Sequence, residues 1–172
     1  MNRRPAGGLF VCLGNICRSP TAEYVARAVF ARAGLQVPVA SRGLGDWHAG
    51  QGADPRAVAA ARAAGYDLSP HRARQFDDDD FARFAWVLAV DRATLAELQR
   101  RVPRTAPAPE RLLVAAGLAP ATAGSAGDVP DPYTGTADDF RAVLALITRG
   151  VEALALRLTE QPATERFAHA PR

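Results

Sequence analysis

The hydrophobic positions change period several times between residues 9 and 158, and each change marks an element. Leu9, Phe10 and Val11 form an unbroken apolar run, the pattern of a short strand covered on both faces. A tight loop follows. From Pro20 the apolar positions Ala22, Val25, Ala26, Val29 and Phe30 recur at helical spacing until Gly34 stops them. Ser19 fits as the N-cap of that helix, with Pro20 at its first position and Glu23 in its first turn. Residues 37–40 read as a second strand, which delivers Ser41 to a glycine-rich loop over 42–52. Asp54-Pro55 opens an alanine-rich helix that Gly65 ends.

Downstream, the acidic run 77–80 suits the first turn of a short helix, where negative charge favours the dipole. Residues 84–90 predict a third strand with Asp91 at its carboxyl end, and 92–101 a helix. A proline-rich connection leads to a fourth strand over 112–115, and 119–129 reads as flexible, small-residue loop. A long amphipathic helix is expected over 138–158. Residues 1–7 and 161–172 read as flexible termini around one domain spanning 8–160. Strands alternating with helices predict an α/β sandwich around a parallel sheet. Ligands of such sheets sit beyond the strand carboxyl ends, where Cys12, Ser41 and Asp91 all fall.

Composition narrows the function. With 172 residues, 48% of them hydrophobic, the chain can bury one sizeable core but hardly two. The net charge is +3, and all 21 basic residues are arginines interleaved with acids, so no nucleic-acid patch is expected. The two cysteines have four residues between them, which is no disulfide framework and fits a reducing cytosol. No stretch suits a signal peptide or a membrane span. The expectation is a cytoplasmic protein without a membrane partner, unless an unconventional route exports it.

Candidate chemistry gathers in the first loop. Gly14 and Asn15 tolerate unusual backbone angles, and a loop ending at a helix N-terminus points several N–H groups into one bowl. Such a bowl suits a phosphate-like dianion, and the same field stabilises a thiolate on Cys12 at its entrance. Arg18, with five residues between it and Cys12, offers a planar fork for two phosphoryl oxygens. Together they supply the parts for a phosphocysteine intermediate. The plainer alternative, a buried strand cysteine beside a solvated arginine, explains neither the glycine nor the strand–loop–helix context. Phenol release from a phosphate ester needs a proton donor, and Asp46, Asp54, Asp91 and Asp131 are loop candidates that spacing alone does not separate. Trp47 and Tyr133 suit aromatic walls or edge-of-core packing. Neither the acidic run nor the cysteine pair has metal-ligand spacing, so no metal or other cofactor is expected.

The stretch Val11-Cys12-Leu13-Gly14-Asn15-Ile16-Cys17-Arg18-Ser19-Pro20, with Asp131-Pro132-Tyr133 downstream, resembles the low-molecular-weight protein tyrosine phosphatase family of bacterial type. Ala73-Arg74-Gln75, Asp80-Phe81-Ala82 and a strand ending at Asp91 match as well, so the likeness covers nearly the whole chain. It implies a three-layer sandwich with a four-stranded parallel sheet of flavodoxin-like topology. It also implies phosphotyrosine protein substrates, with inorganic phosphate as product or inhibitor. The loop Leu13 to Arg18 then binds phosphate, and Asp131 is the general acid. Ser19, Ser41 and His71 support the loop: Asn15 is expected to bond Ser41, Ser19 the Cys12 sulfur, and His71 to act through Glu23, although a satisfied structural histidine explains that residue equally well. Leu13, Trp47 and Tyr133 line the substrate cleft, and Cys17 is expected to guard Cys12 against oxidation. Thr134 departs from the second tyrosine common in relatives, which bears on substrate preference. Three rivals share the motif. Arsenate reductases of this shape need further cysteines, phosphoarginine phosphatases carry threonine where this chain has Ile16, and a non-catalytic phosphate module would lack Cys12, Arg18 or Asp131.

Overall fold

The computed structural model describes residues 7–161. The flexible termini expected over 1–7 and 161–172 fall almost entirely outside that range. Four parallel strands, β1 (Gly8–Cys12), β2 (Val39–Gly43), β3 (Trp86–Ala89) and β4 (Glu110–Arg111), form one sheet in the order β2-β1-β3-β4. Register pairs Phe10 with Ser41 on one side and with Leu88 on the other. β1 is therefore central, and its five residues are all buried. That is why the sequence there is apolar without alternation.

Side chains leave the sheet alternately. Phe10, Cys12 and Leu88 join one core with α1 (Arg18–Arg32) and α6 (Ala137–Glu160). Leu9, Val11, Val87 and Ala89 join another with Phe76, with Phe81 of α3 (Asp80–Arg83) and with Leu98 of α4 (Arg92–Arg101). The result is the expected three layers. α6 supplies the largest share of the first core of any element, through Val143, Leu144, Ile147, Val151, Leu154, Ala155 and Leu158. At about 1.5–3 kcal/mol for each large side chain buried, this face outweighs anything helix propensity supplies. A third, smaller cluster of Cys17, Ala57, Ala61, Leu68 and Phe140 seats α2 (Pro55–Ala63) against α6.

The strand expected at 112–115 is not one. β4 has already ended at Arg111, and Leu112–Ala115 is a short helix, α5. A four-residue apolar run is consistent with either state, and tertiary context decides. Gly150 on α6 leaves room for Leu112 and Leu113 to dock as a helical turn, since a Cβ there would lie 3.2 Å from Leu113. Ser19 is likewise not the cap of α1. The helix begins at Arg18, with Cys17 at the cap position and no side-chain cap hydrogen bond. The Ser19 hydroxyl is used elsewhere.

The segment 119–129, expected to be flexible, is clamped from beneath by Arg111. This buried guanidinium donates to the carbonyls of Gly124 (2.8 Å), Ala123 (2.6 Å) and Ala121 (3.3 Å) and pairs with Asp128 at 2.8 Å. Asp80, from the acidic run, is fully buried and pairs with Arg42 of β2 at 3.3 Å and Arg83 at 3.2 Å. Charge at the start of α3 thus goes into a buried ion network as well as toward the helix dipole.

Candidate active site

The loop from Cys12 to Arg18 joins the carboxyl end of β1 to the start of α1. Asn15 makes the turn with φ 58°, the one non-glycine residue with positive φ among those described. Asparagine tolerates that conformation, and here its side chain is also the hub of the loop. Its amide donates to Ser19 Oγ and to Ser41 Oγ, each at 2.9 Å, while its Oδ1 accepts from the Arg74 N–H at 2.9 Å. The Ser41 hydroxyl in turn donates to Glu23 Oε2 at 2.6 Å, and Arg27 holds the other Glu23 oxygen. Neighbouring β2 approaches so closely that a Cβ on Gly43 would sit 2.9 Å from the Gly14 carbonyl carbon. Only glycine fits there.

His71 closes the network from the far side. Its Nε2–H donates to the Asn15 carbonyl at 2.7 Å, leaving Nδ1 as an acceptor 3.9 Å from Glu23. Burial pushes the His71 pKa down, against the pull of the Asn15 carbonyl and of Glu23. The neutral ring is then the working form at neutral pH.

Two donors converge on the Cys12 sulfur. The Asn15 backbone N–H lies 3.2 Å from it and the Ser19 hydroxyl 2.9 Å. Ser19 has one proton to give, and its other outlet is the Arg42 carbonyl at 3.3 Å. With the proton directed at sulfur, the arrangement suits a sulfur carrying negative charge. With a thiol, the S–H can donate to Ser19, whose own proton turns to Arg42.

Arg18 enters the site from the first turn of α1, buried to within 5% of its surface. Its Nη1 is tied to Asp91 Oδ2 at 2.6 Å and to the Val129 carbonyl at 3.0 Å, which fixes the fork. Nη2 lies 3.5 Å from Asp131 Oδ2. Asp91 caps α4 through the Thr94 N–H at 2.8 Å, so both its oxygens are engaged. Burial alone would raise the Asp91 pKa, but the bonds from Thr94 and Arg18 outweigh it and hold the carboxyl below its usual range. It is an anchor for Arg18 and a poor proton donor. Asp131 is half exposed, its Oδ1 accepting from the Tyr133 N–H at 3.1 Å.

These residues enclose a cavity of about 190 Å³ lined by the whole loop from Cys12 to Arg18 together with Trp47, His48, Asp131 and Tyr133. Leu13, Trp47 and Tyr133 stand at its rim, 49%, 64% and 50% exposed. Trp47 lies over Gly45, where a Cβ would come within 1.9 Å of the indole. So the expected catalytic, phosphate-binding and rim residues meet in one cleft, while Ser19, Ser41 and His71 lie outside its lining and stand behind the loop. Asp54 lies outside the lining, at the cap of α2. Cys17 is buried, and burial, followed by nearby Asp54, pushes its thiol up to about 12.

Two participants gave no signal in the sequence. His48 forms part of the wall, close against Gly14, with Nδ1 3.0 Å from Gln51 Oε1. Arg56 pairs with Asp54 at 2.9 Å and lies over the rings of Tyr133 and Phe140, 5.5 and 4.5 Å from their centroids. The Asp54 N–H bonds the Ile16 carbonyl at 2.8 Å. An aspartate capping a helix at a Pro-Arg start was legible; the ring that its arginine would cover was not.

A parallel sheet whose central strand ends in a loop carrying a cysteine and a buried arginine defines the class: an α/β protein with its candidate site at the strand carboxyl ends. The family model for low molecular weight phosphotyrosine protein phosphatase matches residues 9–164, and the chain belongs to that family. A low molecular weight protein-tyrosine-phosphatase of Streptomyces coelicolor is 44% identical over 154 residues, covering 88% of this chain and 93% of the relative. The low molecular weight protein-tyrosine phosphatase A of Mycobacterium tuberculosis is 40% identical, over 84% of this chain and 86% of its own. Among solved structures, an Entamoeba histolytica protein tyrosine phosphatase with Hepes in its active site superposes with a TM-score of 0.81. It is 32% identical, over 90% of this chain and 97% of that one.

Proposed function

We propose that the protein hydrolyses phosphotyrosine in protein substrates through a phosphocysteine formed on Cys12. The observation that carries this reading is the convergence of Asn15 N–H and Ser19 Oγ on the Cys12 sulfur, with Arg18 and Asp131 lining the same cleft. The Cys12 thiolate attacks phosphorus in line, and the bond from phosphorus to the tyrosyl oxygen breaks. Arg18 and the N–H groups of the loop hold the equatorial oxygens as charge redistributes. Asp131 gives its proton to the leaving phenolate, whose conjugate acid has a pKa of about 10. In the second step the Asp131 carboxylate takes a proton from water, the water oxygen bonds phosphorus, and the S–P bond breaks. Phosphate leaves and the thiolate returns, with Ser19 able to donate to it as it departs. No step calls for a metal.

Substrate preference follows from the rim. Trp47 and Tyr133 suit the two faces of a phenyl ring, and Ile16 puts an apolar side chain in the lining. Phosphoserine is too short to bring its phosphorus to the floor between such walls. A reducing cytoplasm suits the two free thiols. Among the described residues no helix is long and apolar enough to cross a membrane.

The test is hydrolysis of p-nitrophenyl phosphate followed by phosphotyrosine, phosphoserine and phosphoarginine peptides. Wild type should turn over the first two and leave the others, and Cys12→Ser should be inactive while folded. Asp131→Ala should slow phenyl phosphate far more than an ester with an acidic leaving group. Retained activity in Cys12→Ser refutes the scheme, and equal losses on both esters remove Asp131 from the acid role.

A further inference from the structure

A second hollow, larger than the cleft at about 460 Å³, lies beside it between the 130–135 segment and the first half of α6. Asp131 lines both. The floor of the second hollow is apolar: Val143 is buried, Leu146 is half-buried, and Pro130 and Ala142 stand at the sides. On α6, Asp139, Ala142, Leu146 and Arg149 follow at spacings of three, four and three, so they make one continuous stripe. Asp139 at one end is already committed to the capping box with Thr136. Arg149 at the other end is exposed and makes no hydrogen bond or ion pair among the described residues. The stripe thus offers a spent acid, an apolar middle and a free cation.

We propose that this hollow is a subsite for the substrate protein, taking the chain that flanks the phosphotyrosine, with an apolar side chain over Leu146 and an acidic one at Arg149. The proposal rests on the phosphotyrosine reading above. A protein whose phosphotyrosine fills the cleft must leave over its rim, and on the Asp131 side it meets this concavity directly. The ten residue-to-residue steps from Asp139 to Arg149 span about 15 Å of helix. An extended peptide covers that length in about five residues. The stripe is therefore matched by about five extended residues of a bound chain, and that length sets the window of flanking positions to vary. Charge chooses the occupant: the cleft takes a dianion past Arg18, and Arg149 carries the same preference along the surface.

The experiment compares kcat/KM for phosphotyrosine peptides with leucine and glutamate, leucine and lysine, or only glycine and serine over the five positions on either side. The enzyme forms are wild type, Arg149→Glu and Ala142→Glu, both substitutions at exposed helix positions that glutamate tolerates. In wild type the leucine–glutamate peptide should exceed the glycine–serine peptide by roughly tenfold, from one partly buried side chain and one exposed ion pair. Arg149→Glu should lower the leucine–glutamate peptide by roughly two- to fivefold and favour the leucine–lysine one. Ala142→Glu should erase the preference for leucine–glutamate over glycine–serine. All three enzymes should hydrolyse p-nitrophenyl phosphate equally. Equal use of all peptides by wild type overturns the subsite, as does an unchanged ranking in the variants. A parallel fall with p-nitrophenyl phosphate also overturns it, because the hollow would then only support the Asp131 segment. Loss of phosphotyrosine hydrolysis altogether would refute the parent reading instead.

Discussion

Asn15 gives the sharpest test of how the loop is held, because its backbone and its side chain can be perturbed separately. Replacing it with glycine keeps the positive φ free of strain but removes three buried side-chain hydrogen bonds, to Ser19, Ser41 and Arg74. At about 1 kcal/mol each, the loss is about 3 kcal/mol. Alanine loses the same bonds and adds about 1–2 kcal/mol for a Cβ in the left-handed region. Glycine gives back about 0.5–1 kcal/mol of that gap through its looser unfolded chain. Asn15→Ala should therefore be the less stable by about 0.5–1 kcal/mol, and both should melt roughly 10 °C below wild type. Urea and thermal denaturation followed by circular dichroism measure both differences. Inorganic phosphate inhibition should weaken in both, since the Asn15 N–H and the loop around it no longer keep their orientation. If either variant loses less than about 1 kcal/mol, or if alanine matches wild type, the side chain is not the hub described here.

Four further outcomes follow from the structure. Arg111→Met breaks a buried pair but leaves Asp128 its contacts with Arg92. It should therefore cost about 3 kcal/mol by chemical denaturation and slow turnover by loosening Val129, while equal stability would deny the clamp. Trp47→Ala should lower kcat/KM for aryl phosphates and leave phosphate inhibition nearly unchanged; matched losses would make Trp47 a structural residue. Burial holds the folded pKa of His71 below its unfolded value, so its contribution to stability is present above about pH 6.5 and is lost as pH falls below it. Denaturation midpoints from pH 5 to 8 should show that slope, and His71→Gln should flatten it. A thiol held near 12 keeps Cys17 protonated until Cys12 is oxidised, when its S–H can condense with a Cys12 sulfenic acid to give a disulfide and water. After peroxide and then a thiol reductant, wild type should regain activity and Cys17→Ser should not; equal recovery would make Cys17 a filler.

What the sequence made legible was whatever depends on local pattern. The apolar run of β1, the periodic face of α1 and the long stripe of α6 all appear where hydrophobic spacing puts them, because burial on a sheet is what that spacing encodes. Cys12, Arg18 and Asn15 were legible because loop geometry and residue chemistry agree there. The 112–115 turn was not, since four apolar residues carry no period and only contact with Gly150 and α6 selects the helix. Ser19 looked like a cap because the next residue is proline; the sulfur 2.9 Å away claimed its hydroxyl instead. Arg111 and Arg56 were hidden among the other arginines of a chain without lysine. Burial in one case and two aromatic faces in the other tell them apart, and both depend on residues remote in sequence.

The position of Asp54 bears on redesign. Its backbone N–H holds the loop through Ile16, and its carboxylate holds Arg56, whose guanidinium covers Tyr133. One residue thereby cross-links the loop proposed to grip the phosphoryl group to the segment proposed to face the leaving group. A graft that swaps the 131–135 segment to retarget the enzyme would cut this cross-link unless positions 54–56 travelled with it. The two stretches form one transplantable module, although some 75 residues of chain separate them.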